Sequence, residues 1–294
     1  NVFPGVLGRT CDRPCEPACR RGRIEEKPVA ICRLKRVAAD HRGDIEHLMP
    51  SITPKNGRRV ACIGGGPASL TVARDLIPLG YEVVIFDRDS RGGGMMRSQI
   101  PAFRLPESVL NEEVDRILNF GAETRFNHDV TSLKNVLDEN FDAVFVGTGA
   151  PKGRDIDIPG RSEVQDNFHI GIDWLMSVAF EHTSKIGKKV VVLGGGNTAM
   201  DCCRSSLRLG GKDVKVIYRG SRDRMKSSDW ELEPALEEDI DLILNHSPEE
   251  YVVEKGKLVG MRFAELEWDQ DEDGRLTSKK INFIIIYFFF SISK

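Results

Sequence analysis

Two widely separated glycine turns constrain this sequence more than any other feature. They occupy residues 64–66 and 194–196, about 130 residues apart, and each reads Gly-Gly-Gly. Each turn follows a short apolar run typical of a strand and precedes an amphipathic run typical of a helix, after which a second strand is predicted. This is the order of a β-α-β unit that binds a dinucleotide. Its duplication predicts an α/β chain with two Rossmann-like domains.

The first unit predicts a nucleotide site with an acidic end. Gly64 would permit the tight turn, and Gly66 would let the backbone approach a pyrophosphate. Pro67 and Ala68 open the helix, whose free N–H groups attract phosphate. The next strand ends at Asp87, where a carboxylate can accept hydrogen bonds from ribose hydroxyls and would repel a 2′-phosphate. The alternative is a tight βα turn followed by a surface acid.

The second unit ends in basic residues instead. Its turn and helix start contribute Gly194, Gly196, Asn197 and Thr198. The strand after the helix ends at Arg219, and Arg222 follows. Guanidinium groups pair well with phosphate oxygens, so this site favours NADPH, and the economical assignment of the first site is FAD. NADH is possible because Gly220 stands where a second arginine would be expected, and a solvated basic loop without a ligand is the alternative.

Three of the seven cysteines are clustered near the start of the chain. Cys11, Cys15 and Cys19 have C-x₃-C-x₃-C spacing. Thiolates at such spacing are candidate ligands for an iron–sulfur cluster, which usually takes four. A zinc site and unliganded thiols are the alternatives. No secretory signal precedes the cluster, so a reducing, cytoplasmic compartment is expected.

Charge and composition exclude several classes of function. The 294 residues carry 42 Lys+Arg against 45 Asp+Glu, which argues against a global role on nucleic acid or on a membrane surface. The last stretch, residues 281–294, is unusually rich in Ile and Phe and too short for a comfortable membrane span. We expect an aberrant apolar tail here, with a buried strand as the alternative.

Several stretches together carry a family resemblance. They are GRTCDRPCEPACRRG, VACIGGGPASL, GGGMMRSQIPAFRLP, VGTGA and VVVLGGGNTAMD. In this order they resemble the small (beta) subunit of NADPH-dependent glutamate synthase and related FAD and iron–sulfur oxidoreductases. The resemblance covers most of residues 8–225.

The resemblance implies a domain order. A small helical iron–sulfur domain of the dihydropyrimidine-dehydrogenase type would occupy residues 1–55. The N-terminal part of an FAD-binding domain would occupy 56–187, and an NAD(P)H-binding domain 188–280. The tail 281–294 would then stand where a C-terminal part of the FAD domain is missing.

The resemblance also implies further site residues. Those that would lie at the flavin are Gly93, Gly94, Met95, Arg104 and Gly149. Cys11, Cys15 and Cys19 would hold a [4Fe–4S] cluster. The position of the fourth ligand falls on Lys35, a poor ligand, and Cys32 is a nearby candidate.

These assignments predict an electron-input flavoprotein. Hydride would pass from NADPH to FAD, and single electrons would then pass to the cluster and to a redox partner subunit. No side-chain acid or base is required, so no catalytic residue is predicted. The partner would be a glutamate synthase large subunit or a subunit of another oxidoreductase, such as a hydrogenase, a formate dehydrogenase or a sulfur-metabolism enzyme. The rival of another class is a truncated nucleotide-binding fragment without turnover.

Overall fold

The structure is a computed structural model that describes residues 1–163, 167–271 and 273–288. Its internal contacts divide the chain into two units, Asn1–Pro151 and Lys152–Lys294, and each is described by itself. The predicted boundaries after residues 55 and 187 differ from this division and stay predictions.

The first unit is built on a parallel sheet. Its elements, in chain order, are α1 (Pro4–Thr10), α2 (Ile31–Asp40), β1 (Arg59–Ile63), α3 (Pro67–Leu76), β2 (Glu82–Phe86), α4 (Met95–Ser98), α5 (Glu107–Leu118), β3 (Glu123–Arg125), α6 (Leu133–Leu137) and β4 (Ala143–Val146). The strand order is β3-β2-β1-β4, with all neighbours parallel. This confirms the predicted β-α-β unit.

Strands β1 and β2 are apolar and buried after their charged first residues, Arg59 and Glu82, because both faces of the sheet are covered. On one face, Cys62 and Ile85 pack with Leu70 of α3 and Val114 of α5. On the opposite face, Ala61, Ile63, Val84 and Phe86 pack with Val136 and Phe141. The alternation follows from the two-residue period of a strand.

The N-terminal helix α1 is fastened to α5 by a buried carboxylate. Glu113 is 2% exposed and accepts hydrogen bonds from the backbone N–H groups of Gly5 at 2.6 Å and Val6 at 3.1 Å. These donors lie in the first turn of α1, which no side chain of its own caps. A negative charge there also complements the positive end of the helix.

Helix α2 does not bury its large apolar side chains. Leu34 and Val37 are 58% and 54% exposed. The helix buries Cys32 and Ala39 instead. Its packing is therefore set by contact with α1 rather than by its own strongest apolar positions.

The second unit contains one parallel and one antiparallel sheet. Its elements are α7 (Gly171–Ala179), β5 (Lys189–Leu193), α8 (Asn197–Arg208), β6 (Asp213–Ile217), α9 (Asp229–Glu237), β7 (Asp241–Ile243), β8 (His246–Glu254), β9 (Lys257–Gln270) and β10 (Leu276–Tyr287). The parallel sheet has the order β5-β6-β7, and the antiparallel one has the order β10-β9-β8. This confirms the second predicted β-α-β unit, and β9 and β10 form an antiparallel pair.

The apolar residues after 280 continue strand β10. Residues 282–287 pair with β9 beyond a register shift between Lys280 and Asn282. Ile284 and Ile286 pack against the core of this unit, whereas Phe283 and Tyr287 are each 53% exposed. The boundary predicted after residue 280 therefore falls inside a strand, and residues 289–294 lie outside the described residues.

Among the described helices, none is both long enough and apolar enough to cross a bilayer.

The Glu113 contact generates a stability prediction. Replacing Glu113 with Ala should lower the free energy of unfolding by about 2–6 kcal/mol, because two buried N–H groups lose their acceptor at about 1–3 kcal/mol each. Urea unfolding measures the change. The matched control is Glu112→Ala on the same helix, whose carboxylate is exposed and whose ion pairs should contribute less than about 1 kcal/mol. Equal losses in the two variants would contradict the assignment.

A second prediction concerns Glu238, which follows α9 and bridges to α8. It accepts hydrogen bonds from Arg208 at 2.8 Å and Arg204 at 2.9 Å. These guanidinium groups, Arg208 foremost, lower its pKa to about 2. Because the pKa is depressed in the folded state, the ionised carboxylate stabilises the fold at pH values above its ordinary pKa of 4.5. This contribution is lost as the pH falls toward about 2.

Glu238→Gln should therefore cost about 1–3 kcal/mol at neutral pH, and its difference from the unchanged chain should shrink through this acid window. Unfolding curves recorded across the window measure the effect. Glu237→Gln, at the exposed neighbouring position, is the control. A loss for Glu238→Gln that stays constant down to pH about 2 would exclude the ion pairs as its source.

Candidate functional site: two nucleotide cradles

The first glycine turn lies where β1, β2 and β4 end. Gly64 adopts a φ of +97° and donates its N–H to the Phe86 carbonyl at 2.7 Å. A Cβ at this position would lie 2.5 Å from the carbonyl oxygen of Gly147, which follows β4. Only glycine satisfies both the conformation and the close approach.

The predicted segment that contains Gly93 and Gly94 also meets this turn. Gly93 donates its N–H to the Gly65 carbonyl at 2.8 Å. A Cβ on Gly94, whose φ is +51°, would lie 2.7 Å from the Cα of Gly66. The fold therefore brings Gly64, Gly66, Gly93 and Gly94 together at the carboxyl edge of the sheet, where ligands bind in open α/β folds.

The remaining residues predicted at the flavin lie in nearby elements of the chain. Met95 begins α4 and is 55% exposed. Arg104 is half-buried in the turn between α4 and α5. Gly149 follows β4 with a φ of +67° and open space around it. The flavin contacts assigned to Met95, Arg104 and Gly149 stay predictions.

The helix that follows the first turn begins without a cap. Gly66 is its N-cap residue, no side chain accepts its first N–H groups, and Pro67 occupies the first turn. A Cβ added at Gly66 would meet its nearest atom only at 3.9 Å. Because the glycine is not required for internal packing, the space in front of it suits a pyrophosphate held by the free N–H groups of Ala68 and its neighbours.

Asp87 lies beside this turn, at the end of β2. Its carboxylate accepts hydrogen bonds from the N–H groups of Gly65 and Asp89, the latter at 2.8 Å. Each oxygen retains acceptor capacity for a ribose hydroxyl. Burial, and then the charge of Asp87, raises the pKa of Asp89. This concentration of carboxylates disfavours a 2′-phosphate here.

The second turn repeats this design. Gly194 has a φ of +145° and donates its N–H to the Ile217 carbonyl at 3.0 Å. Gly196 is the N-cap residue of α8, again without a side-chain cap, and a Cβ there would meet nothing within 4 Å. Thr198 is exposed, and the Asn197 side chain accepts a hydrogen bond from the Ser228 N–H at 3.0 Å.

An arginine-rich loop follows β6 at the ribose end of this turn. Arg219 and Arg222 are exposed and Arg224 is half-buried. Among the described residues, none of the three forms an ion pair. Their positive charge is therefore available to an anion.

Tyr218 explains why glycine stands at position 220. Its ring lies between two glycines, so that a Cβ at Gly195 or Gly220 would approach it to 2.7 Å or 2.8 Å. Its hydroxyl donates to the Arg224 carbonyl at 2.8 Å. An arginine at position 220 would collide with this ring, which accounts for the departure from the expected pair of arginines.

Further polar groups around the second turn were not predicted from the sequence. Lys226 and Ser227 donate their N–H groups to the Gly195 carbonyl. The hydroxyls of Ser227 and Ser228 and Nη1 of Arg224 are buried and find no hydrogen-bond partner within the part of the chain that the structure describes. A run of lysine and serine follows the arginines in the sequence, but no known spacing pattern links such a run to nucleotide binding.

The second turn also borders a cavity of about 740 Å³ within the second unit. Gly194, Gly196 and Thr198 line it together with strand β5, Tyr251 and Met261. Its volume lies in the range of small-molecule and cofactor sites.

The clustered cysteines lie in the loop between α1 and α2. Cys11 accepts a hydrogen bond from the Arg13 N–H at 3.4 Å, and Cys15 is exposed. Hydrogen bonds from backbone N–H groups, chiefly those of Val29 and Arg21, lower the pKa of Cys19. Such donors favour thiolates, the form that ligates metal.

The structure does not assemble these thiols into a ligand set. Within residues 1–163, 167–271 and 273–288, no group of three or more His, Cys, Asp or Glu side chains is placed to hold a metal ion. Cys32 is buried, and its thiol donates to the carbonyls of Leu7 and Gly8 in α1. The three-cysteine cluster site, and Cys32 as its fourth ligand, stay predictions.

Comparison with known proteins identifies the family of the chain. Residues 58–274 match the family model described as pyridine nucleotide-disulphide oxidoreductase. The chain belongs to this family. Membership confirms the predicted enzyme class, a NAD(P)H-dependent oxidoreductase, and its cofactors, FAD and a pyridine nucleotide.

Several curated proteins are similar over most of the chain. The beta subunit of NADP(+)-dependent formate dehydrogenase from Moorella thermoacetica is 35% identical over 92% of this chain and 42% of its own length. The beta subunit of NADPH-Fe(3+) oxidoreductase from Geobacter sulfurreducens is 36% identical over 87% and 39%. The glutamate synthase [NADPH] small chain of Azospirillum brasilense is 36% identical over 85% and 55%, which confirms the predicted resemblance. The chain thus spans about half or less of the length of these relatives.

Solved structures share the fold at low sequence identity. Mycobacterium tuberculosis FprA, solved in complex with NADPH, has a TM-score of 0.64 at 19% identity, over 80% of this chain and 69% of its own. Lactococcus lactis thioredoxin reductase has a TM-score of 0.50 at 19% identity, over 76% and 74%. These matches confirm the α/β fold class with parallel sheets.

We call each glycine turn together with the start of its helix a cradle: Gly64–Gly66 with α3 is the first, and Gly194–Gly196 with α8 is the second. Paired glycine substitutions test the second cradle. Gly196→Ala places its Cβ in open space at a φ of −109°, so we expect unchanged unfolding but nicotinamide-nucleotide binding weakened by about tenfold or more. Gly194→Ala forces a side chain into a φ of +145°, so we expect loss of stability. Thermal unfolding and calorimetric titration with NADP⁺ separate the effects. Undiminished binding in Gly196→Ala would remove this turn from the site.

Proposed function

We propose that the chain is the electron-input part of a multi-subunit oxidoreductase that uses NADPH as its reductant. The first cradle would hold FAD and the second would hold NADPH. One observation carries the proposal: two uncapped helix N-termini, at Gly66 and Gly196, lie beside ribose ends of opposite charge. When bound, FAD supplies the chemistry that side chains lack, since it accepts an electron pair and releases electrons singly.

The residues of the first cradle bind and orient a flavin nucleotide. Free N–H groups after Gly66 would neutralise the pyrophosphate, and Asp87 would accept hydrogen bonds from the ribose. The approach of Gly94 to Gly66 limits the width of the crevice. These contacts support a nucleotide without a 2′-phosphate at this position.

The residues of the second cradle favour a nucleotide that carries a 2′-phosphate. Arg219 and Arg222 are exposed after the end of β6, and Arg224 follows them and is half-buried. Their charge and planar donors match the 2′-phosphate that distinguishes NADPH from NADH. This supports NADPH as the reductant.

A partner subunit would receive the electrons. The three relatives are named as subunits or chains of enzymes with different second substrates: formate dehydrogenase, NADPH-Fe(3+) oxidoreductase and glutamate synthase. Their names share the nucleotide couple NADP⁺/NADPH, so the part that exchanges electrons with this couple is what is proposed for this chain. Because Cys11, Cys15 and Cys19 do not form a ligand group, a [4Fe–4S] cluster is proposed only from the resemblance, and no step is derived through it.

Absorption spectroscopy of the full chain tests the proposal. After anaerobic reconstitution with FAD, iron and sulfide, we expect bound flavin whose absorption bleaches when NADPH is added. Iron and sulfide analysis of the same sample shows separately whether the cysteines hold an iron–sulfur cluster. A protein that remains colourless would support the rival interpretation, a nucleotide-binding fragment without turnover.

Reversing one charge tests the preference for NADPH. Arg219→Glu should weaken NADPH binding by about tenfold or more and NADH binding by less than about threefold, because only NADPH carries the 2′-phosphate. Titration with each nucleotide measures the ratio. Lys257→Glu makes the same charge change at an exposed position of β9 and is the control. Equal losses for both nucleotides would remove the 2′-phosphate argument.

A further inference from the structure

One aromatic residue of the antiparallel sheet contacts the arginine-rich loop twice. Trp268 lies on β9, 49 residues beyond Arg219, and donates its Nε1–H to the Arg219 carbonyl at 3.0 Å. Its ring also faces Arg224, whose Cζ lies 3.8 Å from the ring centroid. The indole thus contacts both ends of residues 219–224, which we call the arginine loop.

We propose that Trp268 is a positioning residue that selects nucleotides carrying a 2′-phosphate. The proposal rests on the function proposed above, in which the arginine loop binds that phosphate. Trp268 would act through Arg219 and Arg224 rather than by touching the nucleotide's reacting atoms.

The hydrogen bond acts on the main chain of the loop. Because the indole N–H binds the carbonyl of Arg219, it restrains the backbone at the residue where β6 gives way to the loop. The Arg219 side chain stays exposed and free to meet an anion. A donor to the backbone therefore orients the guanidinium without competing for it.

The ring contact orients a second guanidinium. Arg224 stacks on the indole at cation–π distance, and its carbonyl accepts the Tyr218 hydroxyl at 2.8 Å. Its Nη1 is buried and lacks a hydrogen-bond partner among the described residues. A guanidinium stacked on an indole, with its backbone fixed by a hydrogen bond and one donor left over, is suited to an anionic ligand.

The arginine loop would select NADP⁺ over NAD⁺ because it is restrained before the nucleotide binds. A loop that is ordered only when the ligand arrives loses conformational entropy at that moment, and affinity falls accordingly. Trp268 and Tyr218 both contact the loop, at the carbonyls of Arg219 and Arg224 respectively. The gain applies to NADP⁺, which uses the arginines, and not to NAD⁺, which lacks the phosphate.

Two substitutions at position 268 separate the effect of the hydrogen bond to Arg219 from that of the ring contact with Arg224. Trp268→Phe keeps an aromatic face for Arg224 but lacks the N–H donor to Arg219. Trp268→Leu loses both. Calorimetric titration of the full chain with NADP⁺ should give a Kd raised about threefold for Trp268→Phe and about tenfold or more for Trp268→Leu. For NAD⁺, Kd should change by less than about twofold.

A matched control removes an arginine–aromatic contact elsewhere in the same sheet. Phe283 on β10 lies 5.6 Å from the Arg262 guanidinium, so Phe283→Leu alters a comparable pair away from the arginine loop. Its NADP⁺ to NAD⁺ affinity ratio should not change. A ratio that falls as much as in Trp268→Leu would mean that sheet stability, and not loop position, sets affinity, and would overturn the proposal.

A second variant keeps the test decisive if Trp268→Leu unfolds. Arg224→Lys retains the charge but lacks the planar group that stacks on the indole, and it should lower the NADP⁺ to NAD⁺ ratio on its own. Unchanged ratios in Trp268→Phe and Arg224→Lys would overturn the positioning role alone. Failure of the unchanged chain to bind either nucleotide would overturn the proposed function, and the positioning role with it.

Discussion

Each nucleotide cradle depends on a helix whose first turn the protein leaves uncapped. The first N–H groups of any helix lack partners, and most helices satisfy them with a side chain. Here the N-cap residues are Gly66 and Gly196, which have no side chain to offer. The protein thereby keeps an unsatisfied positive helix end at the carboxyl edge of each parallel sheet, and an anionic ligand completes the hydrogen bonding.

The two cradles share this backbone device and differ at the ribose end. In the first, Asp87 binds the turn itself and collects negative charge with Asp89. In the second, the charge is positive, and Trp268 contacts both the Arg219 carbonyl and the Arg224 guanidinium. In the proposed function, the backbone would bind the pyrophosphate in both units, and the side chains at the end of the second strand would decide which nucleotide each accepts.

The N-terminal segment shows how packing overrides local pattern. Helix α1 is short, and the buried carboxylate of Glu113 supplies the acceptor that its own sequence lacks. Helix α2 has its clearest apolar period at positions that include Leu34 and Val37, yet it packs through Cys32 and Ala39. Periodicity identified the helix, but the face that it buries depends on the helix against which it lies.

The sequence by itself determined both β-α-β units, the glycines of the two turns and the charge that follows each second strand. These features are local, because a tight turn between strand and helix depends on neighbouring residues only. Tertiary structure alone decided that Trp268 reaches the arginine loop. This contact depends on how a distant hairpin packs beside the parallel sheet, and no spacing within a single strand or helix encodes that register.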